Sequence, residues 1–139
     1  MIRLTEHFTL DDFAQQPAYG FPAVAYPEEW IEERAIPLAN VLEALRADLG
    51  GEPMQISSGY RSPDFNEALR LAGHPVAGDS QHCLGRAADI IVPGRTPLEV
   101  FLAALRLHGD RKIRLGGLGL YSGWTHVDIR PGRLIEWFS

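Results

Sequence analysis

Residues 86–92 read RAADIIV, and this run constrains the fold more than any other stretch because Asp89 stands inside an otherwise apolar segment. The segment reads as a strand, and a carboxylate buried there is costly unless something charged lies beside it. Forty-odd residues later WTHVDIR repeats the move, with His126 and Asp128 alternating with Val127 and Ile129. By the two-residue period of a strand, His126, Asp128 and Arg130 share one face while Val127 and Ile129 point into the core. Adjacent antiparallel strands can bring Asp89 and His126 onto one face, and His82 ends the loop GHPVAGDSQH just before them. Two imidazoles and a carboxylate fit a catalytic zinc centre, which takes three protein ligands and leaves a fourth position to water. On the residues alone a second reading stands, in which Asp89 pairs with Arg86 or Arg114 and the histidines are ordinary hydrogen-bonded residues.

The rest of the chain reads as an α+β domain with a small, largely antiparallel sheet and helices packed around it, one domain over residues 1–139. Thr9 before Leu-Asp-Asp predicts a short helix from Leu10 to about Gln15. Residues 17–27, PAYGFPAVAYP, read as an ordered loop. From Pro27, apolar residues at Leu38, Val41, Leu42, Leu45 and Leu49 predict a long helix that Gly50-Gly51 stops and Pro37 kinks or divides. MQISS is a short strand, and Ser62-Pro63 starts a helix that Gly73 closes. Thr96-Pro-Leu-Glu99 is a capping box opening a helix to about His108. GGLGLY and WTHVDIR flank a hairpin turn at Ser122-Gly123, where Tyr121 and Trp124 either wall a cleft or join the core. RLIEWF, with two aromatic and two aliphatic residues, is expected to be buried.

A chain of 139 residues can bury roughly two thirds of its unfolded surface, enough for one sizeable core. Its 13 basic and 18 acidic residues give a net charge of −5, which argues against nucleic acid or an anionic membrane as the main partner. The single cysteine, Cys83, excludes an internal disulfide and a cysteine-based zinc site. MIRLTEHFTLDDF has no apolar core of a secretory signal, and no run approaches the roughly 18 apolar residues of a membrane span. The expectation is a protein that is cytoplasmic as synthesised, a monomer, and delivered by another route if it acts outside.

Three blocks in order, SGYRSPDFN, SQHCLGRAADI and THVDIR, resemble the zinc D-Ala-D-Ala carboxypeptidase family. That family shares a fold group with lysostaphin-type peptidases and the hedgehog signalling domain. Its pattern is S-G-[YF]-R-[ST], then S-x-H-x-x-G-x-A-x-D, then H-x-D or a close variant. The opening LTEHFTLDDF also resembles phage and bacterial members, so the likeness spans about residues 4 to 131. It implies Zn2+ held by His82, Asp89 and His126, with Arg61 beside the metal holding a substrate carbonyl or carboxylate. A guanidinium there can stabilise the oxyanion of a tetrahedral intermediate. Ser80 matches a serine that hydrogen-bonds substrate. The implied activity is hydrolysis of peptidoglycan stem peptides, at a D-Ala-D-Ala terminus or an internal link, as in a phage-type lysin.

One position departs from the pattern. Zinc peptide hydrolysis needs a general base, and relatives carry an acid three residues before the last histidine ligand. Here that residue is Gly123, and no Asp or Glu occurs from Arg111 to Val127. Asp128 has three readings: the base, a carboxylate orienting a ligand imidazole, or a partner of Arg130. The departure also keeps a different class open, a zinc-stabilised binding or structural module without turnover.

Overall fold

The computed structural model describes residues 2–21 and 23–139, and its elements follow the punctuation of the sequence. Three helices, α1 (Ile36–Asp48), α2 (Pro63–Leu71) and α3 (Pro97–Gly109), accompany five strands: β1 (Gln55–Ser58), β2 (Ala87–Ile91), β3 (Gly117–Leu120), β4 (Thr125–Asp128) and β5 (Ile135–Phe138). The sheet runs β1-β2-β4-β3-β5, antiparallel throughout except for the parallel pair β3–β5. This is the expected α+β architecture. Among the described residues no helix is long and apolar enough to cross a membrane.

The caps explain where the helices begin. Ser62 Oγ accepts from the Phe65 amide at the start of α2, and Thr96 and Glu99 close a reciprocal capping box on α3. Pro37 sits in the first turn of α1, and the chain before it is wound wider, as a π-helical turn over Ile31–Ala35 in which the Ile36 amide reaches back to the Ile31 carbonyl. A proline offers no amide to Glu33 four residues back, so the regular ladder cannot run through it. The predicted long helix is thereby divided. The helix expected at Leu10–Gln15 is a 3-10 turn, Leu10–Phe13, and the loop after it carries another at Pro17–Tyr19. Pro22, within that loop, lies outside the described residues.

One side of the sheet is the core. Ile56, Ala88, Ile90, Leu118 and Val127 meet Leu38, Leu42 and Leu45 of α1 and Val100 and Ala104 of α3. Each of these strand residues alternates with one on the opposite side, and that side carries Asp89, His126 and Asp128. The expectation for RLIEWF is corrected in part. The segment forms edge strand β5, and Trp137 packs inward, but Ile135 is 52% and Phe138 74% exposed. A strand at the edge of a sheet has a neighbour on one side only, which leaves such residues open to solvent.

Candidate metal centre and its cleft

Asp89 and His126 lie directly opposite each other in the β2–β4 register, so the two-residue period delivers both to the same face. His82 reaches them from a 3-10 turn, Gln81–Leu84, that Ser80 caps by accepting from the His82 amide at 3.1 Å. Gly85 ends this turn in the left-handed conformation, φ 68°, and leads directly into β2. One ligand-type atom from each of His82, Asp89 and His126 lies within 4.8 Å of the others, and all three residues are buried. Asp89 Oδ1 is 3.2 Å from His82 Nε2 and 3.0 Å from His126 Nδ1. Among the described residues neither Arg86 nor Arg114 pairs with Asp89, so the buried ion pair weighed from sequence does not form.

The outward nitrogens show which atoms are free. His82 Nδ1 lies 2.8 Å from the Gly59 carbonyl oxygen, which can only accept, so the ring hydrogen is on Nδ1. His126 Nε2 lies 2.7 Å from Asp128 Oδ2 and donates to that carboxylate. Burial pulls the His82 imidazole below its usual range, against the raising influence of Asp89, and keeps it neutral. A neutral ring that donates outward turns a lone pair toward a carboxylate oxygen at 3.2 Å. Two acceptors face each other there, and a cation relieves that contact. Outer partners of this kind, a backbone carbonyl and a carboxylate, are what ligating histidines use. The donor set therefore fits a divalent metal with nitrogen and oxygen preference.

The two carboxylates and His126 are tightly coupled. Burial raises the Asp89 carboxyl, but His82 and His126 outweigh it and hold the group well below the ordinary range. Burial likewise raises Asp128, and Arg130 with His126 more than reverses the effect. For His126 burial lowers the proton affinity, while hydrogen bonds to Asp128 and Asp89 bring it above the usual value.

Asp128 does not face the cleft. It is fully buried, and its oxygens take a bidentate grip from Arg130, Nε to Oδ1 at 2.9 Å and Nη2 to Oδ2 at 2.6 Å, besides the His126 contact. The geometry is that of the orienting carboxylate, and at the same time that of the Arg130 partner. Arg61, only 5% exposed, lines the cleft with Nη1 on Tyr19 Oη at 3.0 Å and Nη2 on Ser80 Oγ at 3.3 Å. Its Nε has no partner among the described residues, and a buried guanidinium N–H left unpaired is costly. Ser80 lines the same cleft, accepting from both Arg61 and the His82 amide.

Among the cleft residues that escaped the sequence reading are Tyr19, Asp79 and Trp137. Tyr19 fixes Arg61 from the N-terminal loop, and no motif points to it. Asp79 is a cleft-lining carboxylate outside the metal cluster, one residue before Ser80. Trp137 lines the cleft from β5, and the reading of RLIEWF as packing residues hid it. Tyr121 and Trp124 wall the cleft, their rings stacked at 4.7 Å.

Comparison with known proteins accords with this geometry. The curated "Peptidoglycan L,D-endopeptidase MepK" of Escherichia coli (strain K12) is 38% identical over 84 residues, 59% of this chain and 43% of that protein. The "Probable peptidoglycan L,D-endopeptidase MepK" of Haemophilus influenzae is 33% identical over 82 residues, 58% of this chain and 41% of that protein. The chain thus spans under half the length of these relatives. The family described as "Peptidase M15" matches residues 6–128, which include every residue of the His-Asp-His cluster. The chain belongs to the peptidase M15 family.

Proposed function

We propose that the chain is a zinc-dependent peptidase that hydrolyses the stem peptides of peptidoglycan, cutting an internal link in preference to a D-Ala-D-Ala terminus. The observation that carries the metal is the convergence of three atoms of ligand type, His82 Nε2, Asp89 Oδ1 and His126 Nδ1, with both outward ring nitrogens already occupied. The peptidoglycan substrate and the internal bond rest on the family and on the activity that the relatives' names state.

His82, Asp89 and His126 would hold Zn2+, which when bound polarises a scissile carbonyl and lowers the pKa of a water. Arg61 lines the cleft and would offer guanidinium N–H groups to a substrate oxygen, and Tyr19 and Ser80 hold its Nη1 and Nη2 in place. Asp128 orients His126 by accepting its Nε2–H, which leaves Nδ1 directed inward. With both its oxygens engaged and none facing the cleft, Asp128 is a positioning residue in this reading and not the base. Asp79 is the cleft-lining carboxylate left to accept a proton.

The test is to incubate zinc-loaded protein with peptidoglycan and, separately, with a D-Ala-D-Ala-terminated peptide, and to measure newly released amino groups. A chelated sample and His126→Ala serve as controls. Metal-dependent release from peptidoglycan is expected; release from the terminal dipeptide alone makes the enzyme a carboxypeptidase. A second reading, a zinc-stabilised module without turnover, draws on Gly123, which leaves open space where relatives carry their acid. Bound zinc with no release from either substrate favours that module.

A further inference from the structure

Strand β5 lies beyond the stretch matched by the family, yet it delivers an aromatic ring to the metal cluster. The register explains how. Gly119 of β3 pairs with His126 of β4 on one side and with Trp137 of β5 on the other. All three positions face the cleft, and the middle one has no side chain. The Trp137 indole therefore lies across β3 and meets the His126 imidazole, with ring centroids 5.0 Å apart. A Cβ on Gly119 would stand 2.5 Å from the indole ring, so the glycine is what lets the ring through. Trp137 Nε1 donates to Tyr121 Oη at 2.9 Å, and the Arg130 guanidinium lies 5.5 Å from the ring centroid on the way to Asp128. The indole is thus fixed at its nitrogen, by a hydroxyl on the cleft wall, and packed against the one imidazole that Asp128 holds from behind.

We propose that Trp137 is a positioning residue for His126. It closes the open flank of the ring that Asp128 leaves free to swing, and so fixes the direction of Nδ1 toward Asp89. This rests on the metal reading of the cluster. Contacts that orient a ligand from outside typically change metal affinity by about 10- to 100-fold when lost. Gly119 belongs to the same device, because the atoms nearest to a methyl group there are those of the Trp137 indole.

A double-mutant cycle tests the idea. Zinc affinity would be measured by competition with a chromophoric chelator for the parent, Trp137→Ala, Gly119→Ala, the double variant and Trp137→Phe. Each alanine variant is expected to bind zinc about 10-fold more weakly, within the range for outer partners. The double variant should bind no more weakly than Trp137→Ala, since the indole that the added methyl would displace is then gone. Trp137→Phe keeps a ring over His126 and should restore most of the affinity. Trp137→Ala binding as tightly as the parent, or a double variant that loses the product of the two single effects, overturns the proposal. Urea unfolding of the chelated proteins reads the contact without metal: non-additive midpoints are expected, and additive ones overturn the contact itself. A parent that takes up no zinc overturns the metal reading, an outcome distinct from failure of Trp137 in a parent that does.

Discussion

Asp128 and Arg61 make opposite uses of a buried charge. Asp128 has every oxygen occupied, by His126 and by Arg130, so nothing remains for a substrate. Arg61 makes two hydrogen bonds from its five N–H donors, and its Nε has no partner among the described residues. Asp128→Asn removes the charge that holds the His126 ring and should weaken zinc binding by about 10- to 100-fold, as loss of an outer carboxylate partner does. Turnover at saturating zinc should survive in that variant while Asp79→Asn loses it; the reverse result, by amino-group release, returns the base role to Asp128. Arg61→Lys offers one point charge in place of a planar fork and cannot serve Tyr19, Ser80 and a substrate oxygen together. It should keep zinc binding and lower kcat/KM by about 10²- to 10³-fold, the typical loss for one oxyanion donor. Unchanged kinetics would leave Arg61 as a turn residue.

At the scale of elements, Asp89 lies seven positions after His82, and Gly85 turns the chain between them. Its φ is positive, its carbonyl accepts from Tyr26 Oη at 2.7 Å, and a Cβ there would stand 2.7 Å from that same hydroxyl and 2.9 Å from the Trp30 ring. Gly85→Ala should therefore cost about 1–3 kcal/mol, the usual range for a strained backbone site. It should also weaken zinc binding by shifting the His82 turn against β2. By contrast Thr96→Ala, which removes the cap of α3, should cost about 1 kcal/mol and leave zinc affinity unchanged. Urea midpoints beside zinc titrations separate the two variants. These elements also show what the sequence could carry. The caps of α2 and α3, the hairpin at Ser122-Gly123 and the shared face of Asp89 and His126 are local or period-two signals, and all were legible. The surroundings of Asp128 were not, because three readings fit one spacing and its contacts to Arg130 and His126 depend on side-chain geometry that the spacing does not carry. Trp137 was hidden for a longer-range reason. Its placement depends on β5 joining β3 in parallel and on Gly119 two strands from β2, neither of which leaves a mark near residue 137.

Across the whole molecule the cluster ties distant stretches together: the turn at His82, β2 and β4, with Gly59 after β1, Trp137 on β5 and Arg130 beyond β4 as outer supports. A ligand that binds only where these stretches meet stabilises the folded state by mass action. On the proposed metal reading, zinc at about 100 times its dissociation constant would add roughly 2.7 kcal/mol, which for a domain of this size is on the order of 10 °C in Tm. Chelation should remove that increment, read as thermal melts of the same sample with and without chelator. The increment should also depend on pH, with a definite sign. Asp89 and Asp128 raise the proton affinity of His126 above the ordinary histidine value, despite its burial. In the metal-free folded protein that proton is held increasingly as pH falls through and below the raised value, and a metal must displace it to reach Nδ1. The difference in Tm between zinc-loaded and chelated protein should therefore shrink as pH falls from about 8 to about 6, bracketing the ordinary histidine value. A difference that stays constant over that interval would mean that zinc does not compete for His126, and would place the metal on another donor. Trp137→Ala, with His126 released on one flank, should show a smaller increment than the parent at every pH in the series.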